Sequence, residues 1–405
     1  MTHHKQDQDV VLLSTADWDN PFWTNKQHVA VELGRRGHRV LYIDSLGLRR
    51  PSASSQDLKR ILRRLKKAMR SPVEVTSGVW VWSPVVVPLQ RFAIVRALNR
   101  LLLDVGLRFW RWRLALKPDV FWTYNPMTTR LISTGQFRSL VYHCVDDVKA
   151  QPGMPVEQIA QAENELLAAA DICFVTAEHM LASRKAINHN THYLPNVADF
   201  VHFSRARDAG LPLPADLAEI RHPIVGFVGA ISGYKVDFPL VRKMAEQHPE
   251  WSIVMIGKVG EGDPWTDISL LESVPNIHLV GPRSYDSLPA CLKAFDVAML
   301  PCVLNEYTRS MFPMKFFEYL AAGRPVVSTN LDALRQYRSV AYLADGHDDF
   351  IRGVERALGG EVPPLGDRLS IAQEQTYERR TARMLAMIND ALAGDKKAAG
   401  QGQQA

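Results

Sequence analysis

Short apolar runs alternate with segments of helical periodicity along most of this chain, and this alternation limits the possible folds more than any other feature. The runs are rich in Val and Ile, as strands that are buried on both faces of a sheet require. Because strand–helix–strand units form parallel sheets with helices on both faces, the sequence predicts an α/β, doubly wound architecture.

The alternation occurs in two blocks, separated by the Pro-rich stretch Gly210–Pro223, which is typical of a linker. The strands predicted in the first block are Val10–Ser14, Arg39–Ile43, Asp119–Thr123, Leu140–Val145, Ile172–Thr176 and His192–Leu194. Those predicted in the second are Ile224–Val228, Ser252–Ile256, Ile277–Val280, Val297–Leu300, Pro325–Ser328 and Val340–Leu343. The clearest predicted helices are Thr24–Arg36, Asp57–Met69, Arg91–Leu116, Val156–Ala170, Glu178–Ile187, Phe238–Gln247, Leu288–Ala294, Pro313–Ala322 and Asp348–Leu358. We therefore expect two parallel-sheet domains, with ligands in the cleft between them.

Composition agrees with this division and narrows the cellular setting. The chain has 405 residues, of which 46% are hydrophobic, enough for two cores. The polar first ten residues leave no room for a signal peptide, so we expect a cytoplasmic protein. The four cysteines stand singly, without metal-ligand spacing, and are expected to be reduced core residues.

Basic residues are concentrated between Arg49 and Arg70, where the one acidic residue is Asp57. Apolar residues recur there at helical spacing beneath a basic face, so the segment predicts an amphipathic helix that binds an anionic membrane surface. The predicted membrane patch consists of Arg60, Arg63, Arg64, Lys66 and Lys67. A solvated face is the simpler interpretation, and a nucleic-acid site lacks any recognised reading module.

The segment Pro301–Thr329, PCVLNEYTRSMFPMKFFEYLAAGRPVVST, carries the most chemical information. A polar loop follows a predicted strand and leads into a helix near Pro313. Free amides and the positive end of a helix dipole would favour a diphosphate there. Lys315 adds a charge in the first turn, and Glu318 could accept hydrogen bonds from ribose hydroxyls.

This segment resembles the nucleotide-sugar signature of GT-B glycosyltransferases, particularly retaining family 4 (group 1) enzymes of bacterial polysaccharide biosynthesis. Three further stretches agree with it in order: LPNVADFVHF at Leu194–Phe203, IVGFVGAISGYK at Ile224–Lys235, and the strand and helix of Val274–Pro301. The resemblance covers about residues 10 to 390. It implies a first, acceptor-side domain at 1–208, a nucleotide-sugar domain at 209–369, and a helix at about 370–393 that rejoins the first domain. Residues 394–405 have the composition of a disordered tail.

The resemblance also implies roles for individual residues. Glu318 would bind the ribose, with Lys315 beside it, while Lys235 and the loop from Gly229 to Gly233 would hold the diphosphate. The amides of Ser310 and Met311 would assist, and Gly281 and Arg283 would frame the base. The donor would be a UDP or GDP sugar.

One residue departs from the pattern of that family, which has two glutamates separated by seven residues. Counting back from Glu318 places Ser310 at the first position, so the sugar and the reaction geometry stay open. A retaining enzyme would need no dedicated base, whereas an inverting one would, and His143, Asp146 and Asp147 are the candidates for that role or for acceptor binding. We expect no catalytic metal, since Asp17 and Asp19 match the metal-dependent spacing without its setting.

Trp18 and Trp23 follow the first predicted strand and are the aromatic candidates for the sugar or acceptor side. The sequence thus predicts a glycosyltransferase that works on a lipid-linked or oligosaccharide acceptor at the inner membrane surface. A nucleotide-sugar 2-epimerase shares the donor site and is the main alternative. An inactive scaffold of a polysaccharide assembly complex is the other, given the missing acid.

Overall fold

The computed structural model describes residues 8–20, 23–46, 71–84, 86–87, 92–261, 263 and 265–401, with side chains as far as residue 393. The helix predicted at Asp57–Met69 lies outside these residues, as do all five residues of the predicted membrane patch, Arg60, Arg63, Arg64, Lys66 and Lys67.

The first domain is built on an eight-stranded sheet with the strand order β3-β4-β2-β1-β5-β6-β7-β8. Its strands are β1 Asp9–Leu13, β2 Arg39–Ile43, β3 Val73–Thr76, β4 Val79–Trp82, β5 Val120–Thr123, β6 Ser139–Cys144, β7 Ile172–Val175 and β8 Thr191–Tyr193. Neighbouring strands are parallel except for β3 and β4, which form an antiparallel hairpin at the edge. The sequence analysis missed this hairpin, although Val alternates with polar residues in β3 and with Trp in β4, and Gly78 has the positive φ of 77° that a tight turn favours.

The second domain contains a six-stranded, wholly parallel sheet with the order β11-β10-β9-β12-β13-β14. Its strands are β9 Ile224–Val228, β10 Ser252–Ile256, β11 Ile277–Gly281, β12 Val297–Leu300, β13 Val326–Thr329 and β14 Tyr342–Ala344. The two doubly wound domains confirm the predicted α/β class.

Helices of the first domain and the linker are Asn25–Arg35, Ala93–Arg113, Thr128–Leu131, Val156–Ala169, Glu178–Lys185, Phe200–Ser204 and Ala215–Ala218. Those that follow are Phe238–Gln247, Ser269–Glu272, Leu288–Lys293, Glu306–Arg309, Lys315–Ala321, His347–Leu358, Leu365–Glu374 and Tyr377–Gln401. Short 3₁₀ turns occur at Val148–Ala150, Arg205–Arg207, Tyr285–Ser287 and Asp332–Tyr337. Within the described part of the chain, no helix is both long and apolar enough to cross a bilayer.

The C-terminal helix Tyr377–Gln401 returns to the first domain. Met384 and Ile388 are fully buried in the same core as Val29 and Leu33 of the helix that follows β1. On the other face of the sheet, Leu103 and Leu107 of helix Ala93–Arg113 cover β1 and β2. The C-terminal helix extends through residues 394–401, part of the segment that composition predicts to be disordered, because its Ala and Lys residues favour helix.

The carboxyl ends of several parallel strands from both sheets converge at the boundary between the domains. The loops after β1 and β6 approach it from the first sheet, and those after β9 and β12 from the second. Four loops therefore meet where ligands bind in folds of this kind.

Candidate functional site

Hydrogen bonds of Asn305 hold the loop after β12 before the chain enters the helix that carries Glu318. The Asn305 side chain accepts a hydrogen bond from the Thr308 amide at 3.0 Å and caps the short helix Glu306–Arg309. The same side chain donates to the carbonyl of Tyr234 at 2.8 Å, which ties this loop to the loop after β9. Local capping thus fixes two segments of the predicted donor site relative to each other.

Glu318 lies in helix Lys315–Ala321 and is only 3% exposed. The Lys315 ammonium donates to its carboxylate at 2.7 Å. A buried carboxylate needs such a partner, because removal of charge from water is costly. Tyr285 and Tyr377 both lie within electrostatic range of Glu318, so an ion pair and phenol groups line this end of the boundary.

Lys235 lies after β9 and is half buried beneath two tyrosines. Its Nζ is 5.2 Å from the ring centroids of both Tyr234 and Tyr307. Burial disfavours its charge, but interactions with Tyr307, Tyr234 and Asp146 outweigh burial and raise the pKa of Lys235. The ammonium therefore stays charged at neutral pH.

Asp146 reaches the same group of side chains from the first domain. Its Oδ1 lies 3.5 Å from the hydroxyl of Tyr307 in the second domain. Lys26, on the helix after β1, is also within electrostatic range: burial lowers its pKa, the charge of Asp146 opposes this shift, and Lys235 adds to it. Asp146 thus lies near one lysine of its own domain, Lys26, and one lysine across the domain boundary, Lys235.

The other two predicted catalytic residues lie in different environments. Asp147 is buried and paired with Arg184 at 3.3 Å, and Arg184 also contacts Glu163 at 3.2 Å. His143 is fully buried in β6, beside the Tyr124 ring at a centroid distance of 4.8 Å. Burial, followed by the charges of Arg380 and Lys26, lowers the pKa of His143 well below its ordinary value. Asp147 therefore belongs to an internal ion-pair network, and His143 is a neutral side chain of the core.

The predicted glycines and Arg283 surround the ends of β9 and β11. A Cβ on Gly229 would lie 2.8 Å from the tip of the Phe227 ring, so a side chain there would require this ring to move. Gly233 is exposed, and its amide is 3.4 Å from the Thr266 hydroxyl. Gly281 has a φ of 73° with open space around it. Arg283 is ion-paired with Asp216.

Ser310 stands where the resembling family has its first glutamate. It is 1% exposed, and its hydroxyl has no hydrogen-bond partner among the described residues. Its amide donates to the Tyr307 carbonyl at 3.1 Å, and the Met311 amide donates to the Thr308 carbonyl at 3.3 Å. The two amides predicted to bind diphosphate are therefore engaged within the loop, whereas the buried Ser310 hydroxyl makes no hydrogen bond to the described residues.

Trp18 and Trp23 begin an aromatic row that crosses between the domains. Their ring centroids are 5.5 Å apart, and Trp23 stacks on Tyr285 of the second domain at 6.0 Å. Tyr285 stacks in turn on His202 at 4.2 Å. Both tryptophans are half buried, so their rings join the packing between the domains while part of their surface stays accessible.

A buried polar bridge that the sequence analysis did not predict joins the domains beside Glu318. Asn25 donates to Asn196 at 2.7 Å, and Asn196 donates to the Phe312 carbonyl at 2.7 Å. Arg380 from the C-terminal helix donates to the Asn25 side chain at 2.5 Å. Asn196 falls within the stretch LPNVADFVHF, which offered a signal, whereas nothing in the sequence pointed to Asn25 or Arg380.

His28, on the helix after β1, also belongs to this boundary. It is 8% exposed, and its ring stacks on Tyr377 at a centroid distance of 4.2 Å. Burial, followed by the charge of Lys315, lowers the pKa of His28 to about 3.

Among the residues that the structure describes, no group of three His, Cys, Asp or Glu side chains could hold a metal ion.

The second domain is similar in sequence to known glycosyltransferases, and the whole chain is similar in structure to solved proteins. Residues 222–359 match the sequence model of a family described as glycosyl transferases group 1. The chain is 32% identical over 162 residues to the putative teichuronic acid biosynthesis glycosyltransferase TuaH of Bacillus subtilis (strain 168). That match spans 38% of this chain and 40% of TuaH.

Solved structures resemble nearly the whole chain. Sucrose-phosphate synthase from Thermosynechococcus elongatus superimposes with a TM-score of 0.68 at 16% identity, covering 96% of this chain and 100% of that one. Anabaena HepE in complex with UDP-glucose gives a TM-score of 0.61 at 12% identity, covering 93% and 99% of the two chains. At such identities the likeness shows the fold alone, which is the two-domain GT-B architecture.

Proposed function

Because residues 222–359 match the group 1 glycosyltransferases and the chain has the GT-B fold, we propose that this protein transfers a sugar from a nucleotide diphosphate to an acceptor. The observation that carries the proposal is the position of Lys315 and Glu318 inside the matched domain, facing side chains of the first domain. TuaH suggests surface polysaccharide assembly as the setting. HepE, which binds UDP-glucose, suggests a donor of that class.

Charge supports the binding of a diphosphate next to Asp146. Lys235 is charged and lies with Lys26 near one carboxylate, so a diphosphate would pair with Lys235 and would favour the charged form of Lys26. The Ser310 hydroxyl, which has no partner among the described residues, would donate a hydrogen bond to an oxygen of the bound nucleotide sugar. Glu318 would accept the ribose hydroxyls, and Arg283, near the end of β11, would lie beside the base.

Stabilisation of the leaving diphosphate by Lys235 is the main catalytic contribution that we propose. Asp146 is the predicted acid closest to these lysines, so it is our candidate for contact with the acceptor hydroxyl, or for the base if the reaction inverts. We propose a reaction without a metal ion and an acceptor that is lipid-linked or an oligosaccharide. Attachment at the inner membrane surface through Arg60, Arg63, Arg64, Lys66 and Lys67 remains a proposal.

The first experiment is a thermal-shift screen of nucleotide sugars, since only a bound donor stabilises the folded protein. Glu318→Gln should weaken binding of the stabilising donor by at least about tenfold, because charge-assisted hydrogen bonds to the ribose are lost. Glu246→Gln, which changes an exposed carboxylate of the same domain, is the matched control. Equal donor affinity in the wild type and Glu318→Gln would refute the assignment of this site.

A second measurement separates the transferase from its alternatives. Nucleotide release that depends on added acceptor glycan indicates transfer. Donor turnover without acceptor would indicate a 2-epimerase, and donor binding without any turnover would indicate a scaffold. Activity that survives chelation of divalent ions is expected, and its complete loss would contradict the metal-independent reaction.

A further inference from the structure

Helix Ala93–Arg113 has two apolar faces, and the residues that the structure describes cover one of them. Leu103 and Leu107 on the inner face are fully buried against the first sheet. The outer face presents large apolar side chains to solvent: Ile94 is 84% exposed and Trp112 is 75% exposed. The other exposed apolar residues of the helix include Leu98, Leu101, Leu102, Val105 and Phe109.

The outer residues form a continuous stripe along the helix. They recur every three or four residues from Ile94 to Trp112, with Leu101 and Leu102 adjacent. At about 100° of rotation per residue, they fall within a sector roughly 100° wide, opposite Leu103. We call residues 94, 98, 101, 102, 105, 109 and 112 the outer stripe. Scattered exposed apolar residues are normal on protein surfaces, but a seven-residue stripe on one helix indicates a binding surface.

Positive charge borders this stripe. Arg108 and Arg113 are exposed and, by the same helical geometry, lie along its two edges. The helix contains five arginines and one acid, Asp104. The Asp104 carboxylate is engaged by the hydroxyl of Ser133 at 2.6 Å and by its amide at 2.9 Å. The surface therefore combines an apolar centre with a cationic rim.

We propose that the outer stripe docks this protein on an anionic lipid bilayer, with the helix lying in the plane of the interface. Apolar side chains would enter the boundary of the acyl region, and the arginines would reach the phosphate groups of lipid heads. Trp112 has the amphipathic ring that favours the interface. A second copy of the chain fits less well, because a symmetric contact would bring two arginine-bordered faces together.

The position of the helix gives this surface a consequence for the candidate site. Asn99 accepts from the Val87 amide at 2.7 Å and donates to the Val87 carbonyl at 2.9 Å, so the start of the helix is fixed to the segment that follows β4. That segment lies at the carboxyl edge of the first sheet, as do Trp18 and Asp146. Docking would therefore bring the site close to a membrane-borne acceptor; this consequence rests on the proposed function, whereas the docking does not.

The test is flotation of the full chain with phosphatidylcholine vesicles, with and without phosphatidylglycerol. The variant Ile94→Ser/Leu101→Ser/Trp112→Ser should lose at least about tenfold in partition onto anionic vesicles, because its apolar contacts are removed. The matched control, Ile187→Ser/Val201→Ser/Leu365→Ser, removes exposed apolar residues elsewhere and should bind as the wild type does. Arg108→Gln/Arg113→Gln should reduce partition by roughly 25-fold, about fivefold for each arginine.

Several outcomes would overturn the docking surface. One is equal vesicle binding by the outer-stripe variant and the wild type. Another is binding that survives this variant but disappears in Arg63→Ser/Arg64→Ser/Lys66→Ser/Lys67→Ser. A dimer that the outer-stripe variant converts to monomer, without vesicle binding by the wild type, would assign the stripe to a second copy. Vesicle binding in a protein that binds no nucleotide sugar would remove the proposed function and leave the docking surface intact.

Discussion

The buried histidine at the domain boundary predicts a specific loss of stability in acid. The pKa of His28 in the folded protein is about 3, against 6.5 for the free side chain. Burial among Trp23, Tyr285 and Tyr377 disfavours its charged form, and Lys315 adds repulsion. Below pH 6.5 the unfolded chain binds a proton at this position that the folded chain does not bind. Protonation of this side chain therefore favours the unfolded chain. The group leaves the free energy of unfolding unchanged above that pH and lowers it progressively as the pH falls towards 3.

The magnitude follows from the difference between the two pKa values. A difference of roughly 3.5 units corresponds to about 5 kcal/mol if it is expressed completely. Between about pH 7 and about pH 5, linkage predicts a loss of about 2 kcal/mol in the free energy of unfolding from this group alone. The stack on Tyr377 has nearly parallel rings, 16° apart, so a phenyl ring can replace the imidazole.

The assay is urea denaturation of the wild type and His28→Phe at a series of pH values. His28→Phe should lose about 2 kcal/mol less than the wild type between about pH 7 and about pH 5, because it has no proton to gain there. His143, whose pKa is also lowered, affects both proteins equally. Exposed His189→Phe is the matched control. Parallel pH profiles for the wild type and His28→Phe would refute the reasoning.

Three further substitutions test the internal supports of the site. Arg184→Ala should lower the free energy of unfolding in urea by about 3 to 5 kcal/mol, because Glu163 would keep a buried charge without its cation and Asp147 would retain Lys149 alone, at 3.7 Å. A loss below about 1 kcal/mol would contradict the network. Asn196→Ala should lower the free energy of unfolding by about 1 to 3 kcal/mol, because the hydrogen bond to the Phe312 carbonyl is lost. Amide hydrogen exchange should become faster in residues 306–314 but not in β10, and unchanged exchange in that loop would count against the bridge. Gly257→Ala should destabilise the protein by about 1 to 3 kcal/mol and weaken donor binding, because its Cβ would lie 1.7 Å from the Gly229 carbonyl oxygen. Gly135→Ala, which meets nothing within 4 Å, should change neither property.

The pattern of apolar residues along the chain predicted most strands, but it did not predict the β3–β4 hairpin at the edge of the first sheet. β2, β9, β10 and β12 have the predicted bounds, because buried parallel strands need continuous apolar runs that stand out in any sequence. The hairpin of β3 and β4 was missed because its outer strand is exposed along its whole length and lacks such a run.

The sequence alone determined the class of fold, the two-block order and the resemblance to GT-B enzymes, because these depend on periodicity and on motifs contained in short segments. Only the tertiary structure decided which polar residues meet. It separated Asp146, which faces Lys235 and Tyr307, from Asp147, which pairs with Arg184. It also joined Asn25, Asn196 and Arg380, three residues far apart in the chain. Burial and pairing depend on which distant segments pack together, and this is fixed by the assembled sheets and not by the spacing of residues along the chain.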